Sequence, residues 1–86
     1  MEYSQKLNEE INRTAINNLK FDLTEDIWNK LTDSEKQVYI DEYWDTAKTC
    51  VKIVANQIIS QHGYLLKLGN PELAKFYETI MEDETF

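Results

Sequence analysis

Eighty-six residues with 42% hydrophobic side chains, two glycines and one proline bound this chain to a single small helical domain spanning 1–86, because strand-and-turn folds need more turn residues. A lone cysteine, Cys50, excludes an internal disulfide and suits the reducing cytoplasm; no apolar run approaches the ~18 residues of a membrane span, and the polar start Met1-Glu2-Tyr3-Ser4-Gln5 is unlike a secretory leader. A formal net charge of −7 speaks against direct contact with nucleic acid or anionic membranes and for a basic partner.

Tyr3, Leu7, Ile11, Ala15 and Leu19 recur at steps of four, which predicts a first helix over 3–19, weakened at its end by Asn17-Asn18. Phe21-Asp22-Leu23 reads as a connector. Thr24 then suits an N-cap, with Glu25 and Asp26 in the first turn of a short helix over 24–31. Its inward face is expected to be Ile27, Trp28 and Leu31. Thr32-Asp33-Ser34-Glu35 matches a capping box. From Asp33 nothing stops the next helix until His62-Gly63, where Gly63 suits a left-handed C-cap. At ~1.5 Å per residue that helix is longer than a compact domain of this size, so it either kinks near 46–49 or projects.

On a helical wheel this third helix has two apolar stripes. Ile40, Trp44, Ala47, Val51, Val54, Ala55, Ile58 and Ile59 form the broad one. Tyr39, Tyr43, Cys50 and Ile53 form a second, roughly 100° away, and suggest a symmetric dimer interface. Tyr64 to Leu68 is expected as a turn of helix or an extended connector. Asn70 and Pro71 restart a last helix over 71–82, followed by an acidic end at Glu82-Asp83-Glu84. The expectation is an all-α fold, a compact bundle of about four helices with one long central helix. Its core would hold Leu7, Ile11, Ile27, Trp28, Leu31, Trp44, Val51, Val54, Ile58, Leu66, Phe76 and Ile80.

Catalytic and metal chemistry find little material. Cys50 and His62 are the one nucleophile–base pair, but they stand twelve residues apart on one helix, about 18 Å. No cysteine–histidine cluster, calcium-binding loop or glycine-rich phosphate loop occurs, so the expectation is a non-enzyme without cofactor or metal. A DNA-reading helix at 33 would carry Asp33, Glu35, Asp41 and Glu42 where it needs bases, and the +3 charge of residues 46–75 is too thin to offset them.

The acidity is concentrated. Between Asp22 and Asp45 lie eight carboxylates (Asp22, Glu25, Asp26, Asp33, Glu35, Asp41, Glu42, Asp45) against Lys30 and Lys36, a local charge of −6. Trp28, Tyr39, Tyr43 and Trp44 are interleaved with them. Carboxylates one helical turn apart can offer a phosphate-like series to lysine and arginine clusters. Asp22, Glu25, Asp26, Asp41, Glu42, Asp45, Tyr39 and Tyr43 are therefore the expected partner-binding residues.

Trp28-x-x-Leu31-Thr-x-x-Glu35-Lys36-x-x-Tyr39 is similar to a stretch of the HMG box, but the basic surroundings of that family are replaced by acid here. In being short, acidic, helical and cysteine-poor, the chain resembles small proteins of bacteriophages and mobile elements, among them anti-CRISPR and other anti-defence inhibitors. That resemblance implies an inhibitor that occupies a basic, nucleic-acid-handling surface of a partner protein. The alternative is a structural or regulatory adaptor that homo-oligomerises through an apolar helix face.

Overall fold

Leu7, Ile11, Ala15 and Leu19 stand one above the next on a helical face, and all four are buried. The computed structural model describes residues 3–83, and in it α1 runs Tyr3–Leu23, one turn beyond the expected end. Asn17 and Asn18 each cost a helix at most ~0.7 kcal/mol relative to alanine. Burying a leucine such as Leu19 contributes ~1.5–3 kcal/mol. Burial carries α1 past the two asparagines, and Phe21-Asp22-Leu23 continues it by one further turn with Phe21 and Asp22 in solvent, instead of forming a connector.

Thr24 alone separates α1 from α2 (Glu25–Lys30), which packs on α1. Its Oγ1 accepts the Ile27 N–H at 3.4 Å, as an N-cap does. Trp28 is buried, but Ile27 is 52% exposed and Leu31 only half-buried, against expectation. Neighbours on a helix point ~100° apart, so Ile27 and Trp28 compete for the most inward direction. The larger side chain takes the buried side.

The capping box forms as its sequence predicts. The Glu35 N–H donates to Thr32 Oγ1 at 3.2 Å, and the Thr32 N–H donates to Glu35 Oε1 at 3.0 Å. They open α3 (Asp33–Gly69), 37 residues long. The helix is unbroken through Thr46–Thr49 and through Gly63, and among the described residues no glycine has a positive φ. One glycine costs a helix ~1 kcal/mol, which does not end it; an interior proline costs ~3 kcal/mol and removes a donor. The stop therefore falls at Asn70-Pro71. The Asn70 N–H returns to the Leu66 carbonyl at 2.6 Å, and Asn70 Oδ1 accepts the Leu73 N–H at 3.2 Å to start α4 (Pro71–Glu82). Tyr64 to Leu68 is accordingly helix, and α4 has its expected bounds. The described residues contain no strand, and the class is all-α. Met1, Glu2 and Glu84 lie outside the described residues.

The chain forms two compact units, Met1–Lys48 and Thr49–Phe86, each holding part of α3. In the first, the α1 stripe, Trp28, Ile40 and Ala47 are buried. In the second, Val51, Ala55, Ala74, Phe76 and Ile80 are buried, and α4 lies along α3 through Lys67 Nζ to Glu78 Oε1 at 2.8 Å and Lys52 Nζ to the Asp83 carbonyl at 3.5 Å. Val54 does not belong to this core, being 46% exposed; Trp44, Ile58 and Leu66 are half-buried. The wheel places Val51 and Ala55 at the centre of the inward face and Val54 on its edge.

Gly63 is buried, and a methyl group added there would meet Ile59 Cγ2 at 3.6 Å, an ordinary contact. Replacing a mid-helix glycine by alanine removes its entropic cost, so Gly63→Ala should raise the stability measured by urea denaturation by about 0.5–1 kcal/mol. A fall in stability would mean that residue 63 needs the backbone freedom of a C-cap.

Candidate partner-binding face

All eight carboxylates from Asp22 to Asp45 are exposed, and all belong to the first unit. They divide by their place on the helices. Glu25 and Asp26 occupy the first turn of α2, and Asp33 and Glu35 that of α3, where negative charge complements the positive helix end. The Thr32 N–H, and after it the Thr32 side chain, hold the Glu35 carboxyl below the ordinary carboxylate range. Asp41, Glu42 and Asp45 stand beyond that first turn. Asp22 sits in the last turn of α1, where a carboxylate opposes the dipole.

Ile40 and Ala47 turn inward, and Asp41, Glu42 and Asp45 occupy the solvent side of α3. Asp41 and Asp45 are one turn apart, ~5–6 Å between their Cβ atoms. The Gln37 amide donates to Asp41 Oδ1 at 2.8 Å and orients it. Among the described residues, Asp22, Glu25, Asp26, Asp41 and Glu42 form no ion pair, while Tyr43 and Asp45 have interactions of their own.

The aromatic part of the stretch is mostly turned inward. Trp28 is buried beneath Lys36, whose Nζ lies 5.6 Å from the ring centroid, a cation–π distance. Tyr43 and Trp44 are half-buried, and Tyr39 is open to solvent. Two exposed apolar residues outside the expected partner-binding set stand near these carboxylates in the chain, one on α3 and one on α1. Val38 is exposed three, four and seven residues before Asp41, Glu42 and Asp45, a spacing that puts all four on one side of α3. Phe21, 86% exposed, stands beside Asp22 and off the 7-11-15-19 stripe; its absence from that stripe was the signal.

Of the residues expected at a dimer interface, Tyr39 and Tyr43 belong to the first unit, and Cys50 and Ile53 to the second. Cys50 is half-buried, and Ile53 is exposed. Ile53 lines a hollow of about 220 Å³ with Lys52, Asn56 and Met81. Among the described residues no group of three histidine, cysteine or carboxylate side chains is placed to hold a metal ion, and no helix is long and apolar enough to cross a membrane. No family model, curated protein or solved structure matches the chain.

Thr24 joins the segment bearing Asp22 to the one bearing Glu25 and Asp26, and it does so at φ 69° and ψ 151°. That region is almost confined to glycine and costs a β-branched residue ~1–3 kcal/mol. Glycine also serves as an N-cap within a few tenths of a kcal/mol of threonine, whereas alanine loses about 1 kcal/mol there. Thr24→Gly should therefore raise the urea midpoint and Thr24→Ala should lower it. The reverse order would contradict the strained-cap geometry.

Proposed function

We propose that this chain is a small non-enzymatic inhibitor of the cytoplasm that binds a basic, nucleic-acid-handling surface of another protein, in the manner of DNA-mimicking anti-defence proteins of phages and mobile elements. One observation carries the reading. Asp41, Glu42 and Asp45, with Asp22, are exposed carboxylates outside every helix first turn, so the helix dipole does not account for them, and Asp22 opposes it. Carboxylates spaced about a helical turn apart present a series of negative charges to lysine and arginine side chains. Exposed Val38, Tyr39 and Phe21 add apolar contact, which a purely electrostatic surface lacks.

A second reading has support of its own. Ile53 and other apolar side chains of the second unit are open to solvent, as a self-associating helical adaptor would need.

Affinity capture from host lysate with mass spectrometry tests the inhibitor directly; recovery of a nuclease, polymerase or CRISPR effector is expected. Binding to that protein should weaken at least ~10-fold between low and physiological salt, and again in the double variant Asp41→Lys with Asp45→Lys. Recovery of its own subunits alone, or binding indifferent to salt and charge reversal but abolished by Tyr43→Ala or Ile53→Ala, would replace the inhibitor with the adaptor.

A further inference from the structure

From Thr46 to Pro71 the chain contains no aspartate or glutamate, and from Ile53 to Leu66 it contains no lysine or arginine either. Within this stretch, α3 leaves a face in solvent that runs from half-buried Cys50 to Leu68. Cys50, Val54, Gln57, Gln61, Tyr64 and Leu68 follow one another at steps of four, three, four, three and four, the spacing of a helix–helix seam, with Ile53 and Leu65 at its flanks. Ile53 is 52% exposed, Val54 46%, Tyr64 76%, Leu65 67% and Leu68 68%. At ~200 Å² for each whole residue they offer on the order of 600 Å², before Gln57 and Gln61 are added, against ~800 Å² per partner in a standard interface. The patch is at the upper limit of what monomers expose.

We infer that this face is covered by a second copy of the chain, packed antiparallel about a twofold axis at the level of residue 59. The seam is its own complement under that operation. Val54 of one copy meets Tyr64 of the other, Ile53 meets Leu65, Cys50 meets Leu68, and Gln57 meets Gln61, whose amides can bond to each other. Small faces large at the Val54–Tyr64 contact, whereas a parallel pair would set tyrosine on tyrosine and valine on valine. The antiparallel pair also opposes the helix dipoles. For two chains of charge −7, this carboxylate-free stretch is where approach meets least repulsion. A C2 contact of this kind uses the same patch on both subunits. The inference concerns the second unit alone and does not depend on the acidic face of the first.

Sedimentation equilibrium and oxidative cross-linking test it. The full chain should sediment as a dimer at micromolar concentration, about twice its 10.2 kDa mass. Val54→Asp and, separately, Tyr64→Glu place a carboxylate on the seam at positions open to solvent in the monomer; both should keep their helical circular dichroism and raise the dissociation constant at least ~100-fold. Leu68→Cys should give a disulfide-linked dimer on mild oxidation through Cys50 of one copy and residue 68 of the other, while the natural chain should not, because its Cys50 faces Leu68. A monomer at every concentration, whether or not it adsorbs to neutral lipid vesicles, overturns the inference. So does a dimer unaffected by both seam variants, or ready Cys50–Cys50 cross-linking of the natural chain.

Discussion

Among the described residues, three side-chain oxygens begin three of the four helices. Thr24, Thr32 and Asn70 each accept a backbone N–H from the first turn that follows, at 3.4, 3.2 and 3.2 Å. The connectors they occupy are one or two residues long, so no loop exists to absorb an error in direction. Each such cap contributes about 1 kcal/mol. A chain of this length has ~4–13 kcal/mol of net stability in all, so three caps are a large fraction of it. These bonds mark where three of the helices start, and the missing donor of Pro71 marks where α3 ends.

The caps also divide the acidic residues into two groups. Glu25, Asp26, Asp33 and Glu35 are accounted for by the helix ends they sit on, and Glu35 is itself half of a capping box. Asp22, Asp41, Glu42 and Asp45 lie outside the first turns and add charge that the helix dipoles do not call for. An apolar residue, Val38, stands among the three on α3. The carboxylates of α3 are held on a regular helix whose opposite side is anchored by Ile40 and Ala47, so their spacing is set before any partner arrives.

Much of this was legible in the chain because it is local. Thr32-x-x-Glu35 and Asn70-Pro71 are short patterns whose chemistry is complete within four residues, and both appear where expected. The misses were contests between a local preference and a distant contact. Asn17-Asn18 and Gly63 weaken a helix, but the burial of Leu19 outweighs the asparagines and a single glycine costs too little to end α3 before Pro71. Ile27 and Val54 were placed inside by hydrophobicity, yet each sits next to a residue that takes the inward direction, Trp28 and Ala55. The exposure of the eight carboxylates was readable from charge. That most of the interleaved aromatics turn inward, leaving Tyr39 and Phe21 outside, required the packing.

The proposed binding surface consists of the four carboxylates that lie outside the helix first turns, Asp22, Asp41, Glu42 and Asp45. Titration of the ¹⁵N-labelled chain with a short arginine-rich peptide, followed residue by residue by NMR, tests it without knowledge of the natural partner. Shifts should concentrate at Asp22, Val38, Asp41, Glu42 and Asp45 and shrink as salt is added. Shifts of equal size at Glu72, Glu78 and Glu82 in the second unit would contradict it, because acidity alone, and not its arrangement, would then be what the peptide reads.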